Sequence, residues 1–222
     1  KINNKSLIMH VYEKALRSEI GDVYVATCDK EIASEVDKSG GNFILTKSKH
    51  KTGTDRVFEA SQKLDLQDTD YIINLQGDEP MINPEDIKNL NNVSKKNRLD
   101  FSSLAFSIKN KDDYNDRNIV KVITKNKVTN YSISLAQNFT RKINIETNNI
   151  YHHFGVYFYR LSTLKKFVSL DQSENEKFEN LEQLRALDNK IKIHIILANH
   201  YSIGIDTEQD LNNCIKLINK IT

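Results

Sequence analysis

The chain has 222 residues, with 32 basic and 30 acidic side chains and a formal charge of +2. That length suffices for a sizeable core, which makes disorder a poor default, and the near-balanced charge leaves no global field to draw nucleic acid or an anionic membrane. Cys28 and Cys214 lie far apart without metal-ligand spacing, which argues against a disulfide scaffold or structural zinc and points to a reducing cytoplasm.

No apolar run approaches the ~18 residues of a membrane span, and Lys1 to Met9 lacks the long apolar stretch of a secretion signal. The expectation is a soluble, cytoplasmic chain. Lysine occurs 25 times and arginine only 7, so basic positions default to lysine and an arginine is the more informative choice. Arg56, Arg160 and Arg185 fall inside the segments singled out below.

Leu7, Ile8, Val11, Tyr12, Ala15 and Leu16 recur at helical spacing, and Val23 to Thr27 then reads as a short strand. Ile32, Ala33 and Val36 mark a helix closed by Gly40 and Gly41, followed by a strand over Asn42 to Leu45. Thr54 to Leu64 predicts a helix, and Tyr71 to Leu75 a buried strand ending at Gln76-Gly77-Asp78-Glu79-Pro80. Pro84 suits the first turn of a helix to about Lys95, and Phe101 to Ile108 another strand. This alternation predicts an α/β fold with a mixed, mostly parallel sheet.

After Asn110 the texture changes. Val120 to Ile123 and Val128 to Ile133 flank Lys125-Asn126-Lys127, which predicts a hairpin in an inserted β subdomain over about residues 109–150. Beyond it come a strand at Tyr151 to Arg160, a helix at Ser162 to Val168, a helix over Leu181 to Leu187, a strand at Ile191 to Leu197 and a last helix from Thr207. No linker divides residues 1–222, so a single domain is expected. The hairpin has too few residues to bury both faces within one subunit, which predicts a homodimer formed through the insert.

Four segments carry possible chemistry. Gln76 to Pro80 follows an apolar strand, where ligands of open α/β sheets sit; its glycine admits a phosphate and Asp78 suits a hard cation, although an isolated GDE tripeptide also reads as a polar turn. In Gly204 to Asp210, Thr207 and Asp210 suit a capping box, leaving Asp206 free to join Asp78 around Mg²⁺ if the two strand ends are neighbours. His50 to Arg56 precedes a helix and suits an anion or a ribose, or else a solvated ion pair on the first turn. His153, Gly155, Tyr157 and Tyr159 alternate onto one strand face, with His153 and Tyr157 roughly 13 Å apart at ~3.3 Å per residue. Without a second motif to support a site, an amphipathic strand with a satisfied histidine is the preferred reading, and Glu182, Gln183 and Arg185 alone would pass as surface residues.

Taken in order, ATCD (Ala26–Asp29), HKTGTDR (His50–Arg56), NLQGDEPMI (Asn74–Ile82), VKV (Val120–Val122), HHFGVYFYR (His152–Arg160), LEQLR (Leu181–Arg185) and GIDTEQDL (Gly204–Leu211) resemble the 3-deoxy-manno-octulosonate (Kdo) cytidylyltransferases, from about Ile2 to the end. The resemblance implies a nucleotide-diphospho-sugar transferase-like fold with a β-rich dimerisation insert. It also implies transfer of CMP from CTP to the anomeric hydroxyl of Kdo, with Mg²⁺ as cofactor and pyrophosphate released, for lipopolysaccharide synthesis. By the same matching Asp78 and Asp206 are the catalytic metal ligands. Thr52, Gly53, Thr54 and Arg56 belong to the nucleotide side, and Gln76, His153, Tyr157, Glu182 and Gln183 to the sugar-acid site.

Two departures from the family pattern stand out. Family members carry a first strand and an ARxxSxRLPGK phosphate-binding loop before the segment matched by Ile2 to His10, so the chain is expected to be a fragment. Ile133 stands where the family usually has an arginine, which implies a lost carboxylate partner and leaves the particular sugar acid open. The alternatives are another acid sugar, of amino-Kdo or acylneuraminate type, and an inactive nucleotide-sugar-binding homologue.

Overall fold

In the computed structural model, which describes residues 1–130, 132–143, 148–205 and 207–221, the first apolar stripe forms α1 (Leu7–Arg17), burying Met9, Val11 and Tyr12. β1 (Val25–Thr27) leads into α2 (Lys30–Lys38), whose Asp29 cap accepts from the Glu31 and Ile32 N–H groups. Gly40, at φ +70°, turns the chain toward β2 (Phe43–Leu45), which pairs in parallel with β1. Met9, Tyr12, Val25 and Val36 form the small core beneath this two-stranded sheet.

Next come α3 (Gly53–Gln62), β3 (Tyr71–Leu75), α4 (Pro84–Lys96) and β4 (Phe101–Ser107). Asn83 caps α4 by accepting from Glu85 N–H at 2.9 Å, and Pro84 occupies its first turn, where a missing N–H costs nothing. β5 (Lys121–Thr124), β6 (Ser134–Thr140) and β7 (Ile150–Arg160) follow, then α5 (Leu161–Val168), α6 (Glu174–Glu179), α7 (Gln183–Asp188), β8 (His194–Leu197) and α8 (Glu208–Ile221).

The larger sheet runs β3-β7-β4-β8-β6-β5, and β5 also pairs with β7. β7 to β4, β8, β6, β5 and back to β7 is therefore a closed ring. α4 packs on β4 and β7 over Ile87, Leu90, Leu104, Val156 and Phe158, while α5 and α7 cover the other face with Leu164, Phe167, Leu184 and Tyr159. Every residue of β4 except Ser107 is buried, as expected for a strand covered on both faces.

The mixed α/β class stands, but the parallel share is smaller than expected. Only β1–β2 and β4–β8 are parallel among the described pairings, whereas β7 runs antiparallel to β3, β4 and β5. Its insertion between β3 and β4 replaces the parallel neighbours that βα alternation suggests. The expected hairpin differs too: β6 begins only at Ser134, and Tyr131 lies outside the described residues. Ring closure buries Val122 of β5, Phe139 of β6 and Val128 of the connection between them in the main core, so these strands need no second subunit to cover those side chains.

Candidate functional site

A cavity of about 380 Å³ opens where β3 ends, beside an irregularity in β7. It gathers Gln76 and Asp78 from the turn after β3, His153 and Tyr157 from β7, and Glu182 and Gln183 from the start of α7. Six of the expected site residues thus share one concavity, although they come from segments distant in sequence.

The β7 irregularity shapes this wall. Ser103 faces Tyr157 and Ala105 faces His153, so β7 holds three residues where β4 holds Leu104 alone. Extra residues shorten the path between the flanking side chains, and the His153 and Tyr157 rings lie only 5.4 Å apart instead of at extended-strand spacing. Gly155 sits in this bulge. A Cβ there would lie 2.5 Å from Gln76 Oε1 and 2.9 Å from Cδ, so glycine is what lets the Gln76 side chain lie across the strand.

His153 is buried and its Nε2 lies 2.8 Å from Ser103 Oγ. Ser103 donates its only proton to the Val156 carbonyl at 2.7 Å, so His153 Nε2–H is the donor and Nδ1 the acceptor. Burial first, then the neighbouring His152, pushes the imidazole down to about 3. His152 falls to about 4, again chiefly through burial and then through Lys121. Tyr157 donates to Gln183 Oε1 at 3.3 Å, and burial raises its phenol well above the usual range. These are neutral binding groups near neutral pH, unsuited to moving protons.

Glu182 lines the cavity and also reaches the start of α3. Its Oε1 accepts from Gly53 N–H at 3.0 Å and its Oε2 from the Thr54 hydroxyl at 2.5 Å. The expected nucleotide-side turn is thereby tied to the expected sugar side. Thr52 caps α3, accepting from Asp55 N–H at 3.2 Å, and Arg56 reaches away to Thr46 Oγ1 at 2.6 Å and the Lys47 carbonyl at 3.4 Å. None of Thr52, Gly53, Thr54 and Arg56 lines the cavity.

The other two arginines singled out are structural. Arg185 forms a buried bidentate pair with Glu176, and Arg160 pairs with Asp100 and donates to the Tyr71 hydroxyl. Arg141 is the arginine at the cavity, and the scarcity of arginine alone did not single it out from the other six. Asp113, Asp116, His152 and Tyr201 also line the wall without having been expected there. Buried Lys121, whose VKV setting was the available signal, donates to the Asp116 and Arg141 carbonyls and so joins two wall segments. Ile133 packs on the apolar cluster beneath α4 and does not line the cavity.

Asp206 lies outside the described residues. The segment before it is tied to the β3 turn: Ile205 N–H donates to the Asp78 carbonyl at 2.9 Å. After it, Thr207 and Asp210 form the expected reciprocal cap, with Asp210 Oδ2 accepting from Thr207 N–H at 2.9 Å and Thr207 Oγ1 accepting from Asp210 N–H at 3.2 Å.

Asp78, Glu79, Asp113, Asp116, Glu182 and Asp210 line the cavity against a single cationic side chain, Arg141, among its described residues. Such a wall repels a polyphosphate unless a cation accompanies it. Hard carboxylate oxygens suit Mg²⁺, which is commonly held by one or two carboxylates plus substrate phosphates. No cage of three His, Cys, Asp or Glu occurs among the described residues, and a site completed by substrate does not require one.

Comparison with known proteins bears on what enters this cavity. Residues 1–193 match the cytidylyltransferase family model. The 3-deoxy-manno-octulosonate cytidylyltransferase of Thermodesulfovibrio yellowstonii is 43% identical, over 98% of this chain and 90% of that protein. An 8-amino-3,8-dideoxy-manno-octulosonate cytidylyltransferase of Shewanella baltica is 36% identical, over 96% of this chain and 88% of that one. A solved CMP:2-keto-3-deoxy-manno-octonic acid synthetase complexed with CTP superposes with a TM-score of 0.87 at 31% identity, over 100% of this chain and 91% of that chain.

Proposed function

The chain belongs to the cytidylyltransferase family, and on that premise we propose that it transfers CMP from CTP to the anomeric hydroxyl of 3-deoxy-manno-octulosonate. The observation that carries this reading is the convergence of Gln76, Asp78, His153, Tyr157, Glu182 and Gln183 on one cavity at a strand end. The sugar hydroxyl oxygen attacks the α-phosphorus of CTP, the new O–P bond forms, and the α–β bridging P–O bond breaks as pyrophosphate leaves with the electron pair. The hydroxyl proton passes to solvent.

The protein's share is positioning and charge control. Gln76, His153, Tyr157, Glu182 and Gln183 hold the polyhydroxylated acid through neutral and charged hydrogen bonds, and Gly53 and Thr54, held by Glu182, border the nucleotide side from outside the cavity wall, with Thr52 capping α3 and Arg56 anchoring it to Thr46. Asp78 and Asp206 would hold Mg²⁺, which supplies neutralisation of the phosphate charge. Pyrophosphate release that requires both CTP and Kdo tests the reading; release that ignores the sugar acid contradicts it.

A second acceptor, the 8-amino sugar acid, is favoured by the carboxylates of Asp113 and Asp116 on the cavity wall, which suit an ammonium group. Parallel assays with the two acceptors separate these. We further propose one catalytic domain over residues 1–222 with an insert at about 109–150, acting as a cytoplasmic homodimer that serves lipopolysaccharide synthesis. Family resemblance supports the dimer, and the two free cysteines support the reducing compartment. Among the described residues no helix is long and apolar enough to cross a membrane.

A further inference from the structure

The stretch from Asn199 to Ile205 lies outside the sheet, yet it forms part of the cavity wall through Tyr201, Ile203 and Gly204. Backbone without ladder partners keeps its place only where other groups receive its donors. Asp86 and Asp78, from the β3–α4 connection and the start of α4, receive such donors here, and Glu79 holds the Ser202 side chain. Asp86, fully buried, accepts from the N–H groups of Asn199 at 2.8 Å and His200 at 3.1 Å. Glu79 Oε2 accepts from the Ser202 hydroxyl at 3.0 Å, and the Asp78 carbonyl from Ile205 N–H.

Glu79 does more than the other two. Its second oxygen, Oε1, accepts from Gly155 N–H at 3.1 Å, at the β7 bulge that admits Gln76. One carboxylate, 7% exposed, therefore joins the turn bearing Asp78, the bulge bearing Gly155 and the segment that leads to position 206. Gly204 runs close beside it: a Cβ there would lie 3.6 Å from Glu79 Oε1.

We infer that Glu79 is a positioning residue, whose two oxygens fix the Ser202–Ile205 segment and the β7 bulge relative to Asp78. This rests on the reading above, in which Asp78 and Asp206 share a divalent cation. Glu79 acts as a shaped acceptor in this role and not as a metal ligand. A glutamine keeps Oε1 for Gly155 N–H, and its amide can donate to Ser202 Oγ with the direction of that bond reversed. Charge is dispensable, whereas the hydrogen-bonding shape is not.

The test is Mn²⁺ titration of the full-length protein with CTP present, read by electron paramagnetic resonance, for Asp78→Asn, Glu79→Ala, Glu79→Gln and Ser202→Ala. Glu79→Ala is expected to weaken Mn²⁺ binding about tenfold, Ser202→Ala about threefold, and Glu79→Gln less than about threefold. Equal weakening by Glu79→Gln and Glu79→Ala overturns the inference, because charge itself would then matter. Parent-like binding by Ser202→Ala also overturns it, and that variant decides the matter if Glu79→Ala does not fold. Asp78→Asn separates the two levels. If it loses Mn²⁺ while the Glu79 and Ser202 variants bind normally, only the positioning role fails; if it binds normally, the metal reading fails and takes this inference with it.

Discussion

Glu182 holds the Gly53–Thr54 turn from across the fold, accepting Gly53 N–H at 3.0 Å and the Thr54 hydroxyl at 2.5 Å. The first residues of α3 and the start of α7 are thus one mechanical unit, although Thr54 and Glu182 lie 128 positions apart in sequence. A sequence-level division into nucleotide and sugar halves predicts that Glu182→Ala affects the sugar acid alone. The observed tie predicts a rise in KM for both CTP and the sugar acid, on the order of tenfold each, because a charge-assisted pair of bonds is lost. Steady-state kinetics with each substrate varied in turn checks this, and a change confined to one KM contradicts it.

Gly155→Ala is expected to leave the fold intact and damage the site. The new Cβ meets the end of the Gln76 side chain, which can swing aside at a cost below about 1 kcal/mol to stability. Gln76 then leaves its place in the cavity wall. The KM for the sugar acid should rise several-fold while the melting temperature shifts by only a few degrees, measured by kinetics and calorimetry on the same preparation.

Acid should destabilise the protein through its buried histidines. Above the ordinary histidine value of about 6.5, folded and unfolded chains are both neutral at His153 and nothing is gained or lost. Below it the unfolded chain takes up a proton that the folded chain, with His153 held near 3, refuses. Stability is therefore full above about pH 6.5 and is lost as pH falls toward 3, with His153 contributing a slope of about 1.4 kcal/mol per pH unit. Urea denaturation of the parent and of His153→Asn between pH 6 and 4 should show the variant with the shallower slope; equal slopes would contradict the burial of a neutral imidazole.

Arg185 and Glu176 are 3% exposed each, and their bidentate bonds at 2.8 and 2.6 Å leave neither charge solvated. Arg185→Met strands the Glu176 carboxylate and should cost about 3–5 kcal/mol. Adding Glu176→Leu should restore much of that loss, because an apolar pair of similar volume replaces a buried ion pair with little penalty, less about 1 kcal/mol for the capping-box bond that Glu176 accepts from Ser173 N–H. Denaturant midpoints of the two variants decide it, and a double variant no better than the single one counts against the account.

Sequence patterns revealed the elements whose periodicity is set locally. Tyr71–Leu75 matches its expected bounds, and α1, α4 and α5 match theirs within a few residues, because apolar spacing and caps decide them. α6 went unread although Ser173 and Glu176 form a capping box whose S-x-x-E pattern is visible, since six residues give too short a stripe to register. The closed ring was not legible: nothing local in Lys121–Thr124 signals pairing with both β6 and β7. The β7 bulge likewise depends on what β4 offers opposite Gly155, so the closeness of His153 and Tyr157 was hidden. Motifs located most of the cavity, whereas Asp113, Asp116 and Arg141 reach it through the path of the chain between β4 and β7, which carries no residue-level signature.

We propose that the cavity at the end of β3 carries out metal-dependent CMP transfer, with Asp78 holding the cation. The most direct test is release of pyrophosphate by the full-length protein supplied with CTP, Kdo and Mg²⁺, compared with Asp78→Asn. The account predicts release that depends on all three additions, and its loss by at least about a thousandfold in the variant, with an unchanged circular dichroism spectrum and melting transition. Turnover by Asp78→Asn comparable to that of the parent would contradict it.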